Sequence, residues 1–118
     1  MQVLRWRSSL NGEVAGEGRL MRYIVDIDGT ICNNTNGDYE AAKPFRANIE
    51  KVNRLYDAGY EIVYWTARGG TTGIDWTSLT TEQLKKWGAK YTELQMRKPH
   101  YDLFICDKAI NSEEFFGE

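Results

Sequence analysis

Strands and helices alternate along this sequence, and that alternation predicts an α/β fold with a mainly parallel sheet. Apolar runs rich in β-branched and aromatic residues end at turn residues, and the segments between them carry apolar residues at helical spacing. A chain of 118 residues accommodates one domain with one core. We therefore predict a single α/β domain over residues 21–118.

The first half of this domain is predicted to hold a strand, a helix and a second strand. Residues 22–27 are predicted as a strand, because Tyr23-Ile24-Val25 is apolar on both faces, which is typical of a buried parallel strand. After a polar loop at 33–43, Pro44 opens a helix and Gly59 ends it. Residues 61–66 form the second apolar strand.

The second half of the domain is predicted to hold a helix followed by two further strands. Thr80 with Gln83 three residues later forms a capping box, which predicts a helix that opens there and runs through Trp87. Residues 91–94 are predicted as a short strand, and the apolar residues 102–106 as another.

The segment Met1–Leu20 has no sustained apolar run and lacks the apolar centre of a signal peptide. Met21 stands directly before the first strand. One hypothesis is that Met21 is the true start and residues 1–20 are a start-site miscall. The alternative is a disordered N-terminal extension. The intact mass of the native protein distinguishes the two.

Composition limits the classes of binding partner and the cellular compartment that the sequence favours. A net charge of −2 does not favour nucleic acid, and no apolar stretch approaches the ~20 residues that span a membrane. Cys32 and Cys106 follow no secretory signal, so both are predicted to be reduced, buried thiols in a cytoplasmic protein. The oligomeric state stays open, with a homo-oligomer as one alternative.

Chemically reactive side chains fall at the ends of these predicted elements. They are Asp26, Asp28, Thr66, Lys98 and Asp107. Sites in open parallel sheets form outside the carboxyl ends of the strands, so we expect these residues at one edge. Three clustered carboxylates repel each other unless a cation lies between them, and oxygen ligands of this kind suit Mg²⁺.

A magnesium ion with open coordination positions binds phosphate. Lys98 would add a positive charge and Thr66 a hydroxyl donor, which offset the repulsion between a carboxylate and a phosphoryl dianion. The backbone N–H groups of Ile27, Gly29 and Thr30, in a glycine-containing turn, are expected to cradle phosphate oxygens.

The two aspartates of the Asp26-Ile27-Asp28 run can divide the chemistry between them. Asp26 would attack phosphorus and form an aspartyl-phosphate. Asp28 would protonate the leaving oxygen and then deprotonate the water that hydrolyses the intermediate.

These motifs resemble those of the haloacid-dehalogenase-like hydrolases. The four family motifs occur in order: Val25–Thr30 with its Asp-x-Asp-Gly-Thr, Ile62–Thr66, Lys98, and Leu103–Asp107. The resemblance implies a three-layer Rossmann-like core in which Asp26 is nucleophile and metal ligand. It also implies that Asp28 binds the metal through its backbone carbonyl, and that Asp107 completes the Mg²⁺ site.

The stretch Thr66-Ala67-Arg68-Gly69 resembles small members that lack an inserted cap domain and are often encoded near capsule or lipopolysaccharide genes and in phages. By the family resemblance Thr66 and Lys98 hold phosphate. Ala67 and Arg68 lie in the loop directly after Thr66 and are further candidates for phosphate binding, although Arg68 also fits a plain surface arginine. A small phosphorylated metabolite such as a sugar phosphate is the expected substrate. A phosphatase for nucleic-acid ends and a non-catalytic phosphate-binding module are the alternatives.

Overall fold

The computed structural model of the chain describes residues 14–15 and 19–117. Its strands are β1 (Val14–Ala15), β2 (Arg19–Leu20), β3 (Arg22–Val25), β4 (Glu61–Trp65) and β5 (Glu93–Gln95). Its helices are α1 (Arg46–Asp57), α2 (Thr77–Lys86) and the short α3 (Ser112–Phe115), with a 3₁₀ turn at Tyr39–Ala41.

The main sheet is parallel, with the strand order β3-β4-β5. Helix α1 connects β3 to β4 and α2 connects β4 to β5, because adjacent parallel strands need a crossover. The predicted α/β class with a parallel sheet is therefore confirmed.

The core lies between this sheet and the helices. Helix α1 buries Ile49, Val52 and Leu55, which recur at helical spacing. They belong to one buried cluster with Ile62 and Tyr64 of the central strand β4. Burial of these apolar side chains supplies the main force that holds β4 in place, and the end of β4 carries the candidate site.

The N-terminal strands β1 and β2 pair antiparallel, Val14 with Leu20 and Ala15 with Arg19. Residues 1–13 and 16–18 lie outside the described residues, so the start-site hypothesis and the predicted disordered extension stay untested. No helix in the described part of the chain has the length and apolar character needed to cross a membrane.

Two predictions about single elements were wrong in detail. Strand β3 is not buried on both faces, since Arg22 and Ile24 on one face are exposed, and β3 lies at the edge of the described sheet. Helix α2 begins at Thr77, where Asp75 accepts a hydrogen bond from the Thr77 amide, so Thr80 and Gln83 lie inside the helix and form no capping box.

The predicted strand at 102–106 is absent. This segment has no regular structure, and the side chains of Leu103 and Ile105 are 78% and 87% exposed. Beyond β5 the Lys98 amide still donates to the Thr66 carbonyl, and the next residue is Pro99, which has no N–H to continue the pairing. An apolar run becomes a strand only where a neighbouring strand pairs with it.

Candidate active site

The carboxyl edge of the sheet brings three of the predicted residues together. Val25 and Tyr64 are the last registered pair of β3 with β4. Asp26 directly follows β3, and Thr66 directly follows β4. The Lys98 amide donates to the Thr66 carbonyl over 2.8 Å. This hydrogen bond holds the segment after β5 at the same edge.

Asp26 and Lys98 form an ion pair at this edge. Lys98 Nζ lies 3.1 Å from Asp26 Oδ1, and the side chains are 12% and 40% exposed respectively. The Lys98 ammonium also lies 5.7 Å from the ring centre of Trp65 and 5.6 Å from that of Tyr101. Two aromatic rings and a carboxylate therefore hold the lysine in place while Asp26 stays accessible.

Thr66 lies beside this pair and is fully buried. Its amide donates to the Gln95 carbonyl over 3.0 Å, and its hydroxyl oxygen accepts from the Arg68 amide over 3.2 Å. The predicted role of Thr66 as a phosphate donor stays a prediction.

In the turn after Asp26, the N–H groups of the predicted phosphate cradle are hydrogen-bonded within the protein. The Ile27 amide donates to Asp26 Oδ1 over 2.9 Å, and the Gly29 and Thr30 amides donate to the carbonyls of Cys32 and Ile27 over 2.8 and 3.0 Å. These three N–H groups therefore stabilise the turn itself. The prediction that they bind phosphate stays a prediction.

Asp28 is paired with Arg68, a relationship that the sequence did not reveal. Arg68 Nε donates to Asp28 Oδ2 over 3.0 Å and Nη2 donates to Oδ1 over 2.9 Å, so the pair is bidentate. The Asp28 side chain is 18% exposed and that of Arg68 is fully buried. The prediction of a surface arginine is wrong.

The guanidinium of Arg68 has further partners on α2. Its Nη1 donates to Thr80 Oγ1 over 3.1 Å and to Gln83 Oε1 over 2.6 Å. Both side chains are buried, on the same helix as buried Leu84. Polar residues on a buried helical face were the one sequence signal for this pair, because such groups need partners.

The side-chain N–H groups of Arg68 donate to protein acceptors, and its predicted phosphate contact stays a prediction. Ala67 precedes it, and the Ala67 carbonyl accepts from the Gly70 amide over 2.8 Å. A phosphate contact from Ala67 stays a prediction.

Cys32 lies against Asp28, with its Sγ 3.5 Å from Asp28 Oδ1. Burial first, and the nearby Asp28 charge second, raise the pKa of the Cys32 thiol to about 12. Cys32 and Cys106 are both free thiols. The predicted burial is confirmed for Cys32 and wrong for Cys106, because the segment that carries Cys106 packs against no sheet.

The predicted three-carboxylate metal site is not assembled. Asp107 follows the irregular segment 102–106 and is exposed. Among the described residues no three His, Cys, Asp or Glu side chains form a group able to hold a metal ion. Contacts join Asp26 to Lys98, Asp28 to Arg68, and Thr66 to the amides of Arg68 and Lys98.

Comparison with solved structures places this fold in a known class. A D,D-heptose 1,7-bisphosphate phosphatase from B. bronchiseptica, complexed with magnesium and phosphate, superposes with a TM-score of 0.51 at 20% identity. The match covers 69% of this chain and 51% of that chain. The chain thus has a haloacid-dehalogenase-like fold.

A crystal structure of a protein from Vibrio cholerae matches with a TM-score of 0.73 and 32% identity, over 83% of this chain and 89% of that chain. The chain belongs to the same protein family as that Vibrio cholerae protein. No family model and no curated protein matches the chain.

Proposed function

We propose that the protein is a Mg²⁺-dependent phosphomonoesterase that uses Asp26 as its nucleophile. The observation that carries the proposal is the Asp26–Lys98 pair: a carboxylate 40% exposed at the carboxyl edge of the sheet, 3.1 Å from a largely buried ammonium. A buried lysine offsets the repulsion between an attacking carboxylate and a phosphoryl dianion. The haloacid-dehalogenase-like fold supports phosphatase chemistry.

The proposed reaction has two displacements at phosphorus. A carboxylate oxygen of Asp26 forms a bond to phosphorus while the bond to the ester oxygen breaks, and that oxygen takes a proton from Asp28. Water then attacks the aspartyl-phosphate and gives a proton to the Asp28 carboxylate. The phosphate leaves, Asp26 returns as a carboxylate, and Asp28 is protonated again.

The residues of the site would provide only part of the predicted coordination of Mg²⁺. The Asp26 carboxylate and the Asp28 main-chain carbonyl would hold it, and the rest of its shell would be water and substrate phosphate, which is common for this ion. The third predicted ligand, Asp107, is not grouped with them. A bound Mg²⁺ would supply charge neutralisation on the phosphoryl oxygens.

We propose a small phosphorylated metabolite, such as a sugar phosphate, as the substrate. The B. bronchiseptica structure of similar fold is a heptose bisphosphate phosphatase, which makes phosphorylated sugars the first compounds to test. A net charge of −2 does not favour a nucleic-acid substrate.

The test measures phosphate release from a nitrophenyl phosphate, a panel of sugar phosphates and a 3′-phosphorylated oligonucleotide, with Mg²⁺ and with a chelator. We expect Mg²⁺-dependent turnover by the wild type that Asp26→Asn lowers at least about 10³-fold. Asp57→Asn is the matched control, because Asp57 pairs with Lys90 on the exposed surface, 2.9 Å away.

Equal activity of wild type and Asp26→Asn, or no turnover on any compound, would contradict the proposed function. Preference for the oligonucleotide, with turnover that falls steeply as salt rises, would replace the metabolite with a nucleic-acid end. A wild type that binds phosphate without turnover would indicate a non-catalytic binding module.

A further inference from the structure

We propose that a cavity beside the turn that follows Asp26 binds the non-phosphorylated part of the substrate, and that this part is a neutral skeleton rich in hydroxyl groups, such as a sugar or a polyol. The cavity holds about 460 Å³ and lies between the loop after β3, the beginning of α1 and the short helix α3. This inference rests on the proposed function, because it identifies what the reacting phosphoryl group is attached to.

The cavity lies close to the reacting carboxylate. Gly29 lines it, and the Gly29 amide donates to the Cys32 carbonyl over 2.8 Å within the turn that follows Asp26. Three residues span at most about 10 Å, so the Cα atoms of Asp26 and Gly29 are no further apart than that. A phosphorylated hexose or heptose covers such a distance, with its phosphoryl group at Asp26 and its hydroxyl groups in the cavity.

Two asparagine side chains in the cavity wall are each fixed at one end. Asn33 Oδ1 accepts from the Lys43 amide over 2.7 Å, and Asn48 Nδ2 donates to the Thr30 carbonyl over 2.9 Å. Within the described part of the chain, the Asn33 NH₂ group and the Asn48 oxygen have no protein partner. The cavity therefore presents an oriented donor and an oriented acceptor, and a hydroxyl group satisfies both because it donates and accepts.

Other groups in the wall suit the same kind of ligand. Asn34 adds an amide and Ser112 a hydroxyl. Phe45, which is 40% exposed, and Phe116 add aromatic surface, against which the C–H groups of a sugar ring pack. Pockets for small molecules typically combine apolar surface with a few placed polar groups. The wall thus matches a sugar better than a purely apolar skeleton.

The charge of the cavity disfavours a second phosphate. Among the described residues that line it there is no lysine, arginine or histidine, and Glu113 contributes a carboxylate. A phosphate dianion bound there would lie near this negative charge with no cationic side chain in the wall to offset it. The cavity therefore favours a sugar with a single phosphoryl group over a bisphosphate.

The first test compares substrates on the wild type with saturating Mg²⁺. Hexyl phosphate is the reference, because it is a primary alkyl phosphate without hydroxyl groups, and it is set against a panel of hexose and heptose monophosphates phosphorylated at the primary hydroxyl. We expect the preferred sugar phosphate to exceed hexyl phosphate at least about 30-fold in kcat/KM, since only the sugar satisfies the polar groups of the wall. It should also exceed its own bisphosphate about 10-fold.

Asn33→Asp tests the oriented donor. It keeps the oxygen that accepts from the Lys43 amide and replaces the NH₂ group with a second acceptor. The ratio of kcat/KM for the preferred sugar phosphate to that for hexyl phosphate should fall about 10-fold. Ser112→Ala, on α3, should lower the same ratio by a smaller factor. Asn36→Asp is the matched control, because it adds the same charge in the same loop outside the cavity wall, and it should change the ratio less than about 2-fold.

Glu113→Lys tests the exclusion of the second phosphate. A cation in place of the carboxylate should raise kcat/KM for the bisphosphate about 10-fold and leave that for hexyl phosphate within about 3-fold. Glu114→Lys makes the same change in charge at the neighbouring exposed position, which does not line the cavity, and it should leave the preference for the monophosphate intact.

A panel in which no sugar phosphate exceeds hexyl phosphate by more than about 3-fold would overturn the inference. Equal ratios in Asn33→Asp and Asn36→Asp, equal effects of Glu113→Lys and Glu114→Lys, or a wild type that prefers the bisphosphate would overturn it as well. In each of these cases the wild type is active, so the proposed function stands. A wild type that hydrolyses none of the compounds, nitrophenyl phosphate included, would overturn the proposed function and the assignment of the cavity with it. The activity of the wild type therefore tells the two failures apart.

Discussion

Lys98 Nζ lies 3.1 Å from Asp26 Oδ1, although 72 positions separate the two residues in the sequence. The contact forms because β3 and the chain after β5 both end at the same sheet edge, and the Lys98 amide is fixed there by the Thr66 carbonyl. Among the described residues, Lys98 is the only cationic side chain in direct contact with the Asp26 carboxylate.

Removal of this charge should lower catalysis strongly. We expect Lys98→Met to reduce kcat/KM for a nitrophenyl phosphate about 10²–10³-fold, because the charge next to the nucleophile stabilises the phosphoryl oxygens in the transition state. Steady-state kinetics with saturating Mg²⁺ measure it. Lys90→Met, which breaks the exposed pair with Asp57, should leave kcat/KM unchanged. Similar rates for Lys98→Met and wild type would rule out the assigned role.

The loop that carries Arg68 depends on Gly69. Its φ is 82°, and a Cβ there would lie 2.3 Å from the backbone oxygen of Ile74. Gly73 has a φ of 79° in the same loop and open space around it. Gly73→Ala should therefore lower the free energy of unfolding only by the penalty of placing a residue with a Cβ in the left-handed conformation, roughly 1–2 kcal/mol.

Gly69→Ala carries the same conformational cost and a backbone clash. Its free energy of unfolding, measured with urea, should fall by about 1–3 kcal/mol more than that of Gly73→Ala. Equal losses in the two variants would show that the loop relaxes without resistance from Ile74.

The sequence was sufficient to predict the central part of the fold. The parallel strands β3 and β4 and the helix α1 follow from local apolar patterns, and Asp26 and Thr66 follow because strand ends are visible in those patterns. The predicted Lys98 joins the site because its segment returns to the sheet edge.

Long-range pairing could not be predicted in the same way. Residues 102–106 have strand composition, yet no strand forms because pairing depends on neighbours elsewhere in the chain. Arg68 and Asp28 are likewise 40 positions apart, so their contact is a property of packing between α2 and the site. The one indication of a buried charge in the sequence was the pair of polar residues Thr80 and Gln83 on the buried face of α2.

The core contains a hydroxyl group that should be dispensable. Tyr64 is fully buried, and within the described part of the chain its hydroxyl has no hydrogen-bond partner. Burial also raises the pKa of Tyr64. Tyr64→Phe removes this uncompensated polar atom and keeps the edge-to-face contact with Tyr91, whose ring centre is 5.9 Å away.

We expect Tyr64→Phe to raise the free energy of unfolding by about 1 kcal/mol, as measured by urea titration. Tyr56→Phe is the matched control, because Tyr56 is 39% exposed and its hydroxyl reaches solvent. It should shift the free energy of unfolding by less than about 0.5 kcal/mol. A loss of stability in Tyr64→Phe would mean that the hydroxyl makes a bond important to the fold.

The two thiols should differ sharply in reactivity. Alkylating agents attack the thiolate, and Cys32 is fully buried with a pKa raised to about 12 by burial and by Asp28, whereas Cys106 is exposed. Near neutral pH, iodoacetamide should therefore label only Cys106 in the folded protein and both cysteines after unfolding in guanidinium. Peptide mass mapping identifies the labelled residue. Cys106→Ser should abolish labelling of the folded chain, and Cys32→Ser should leave it unchanged.

Labelling of Cys32 faster than the chain unfolds would show that the Asp28 region opens to solvent, which would remove the buried environment on which the Arg68–Asp28 pair depends.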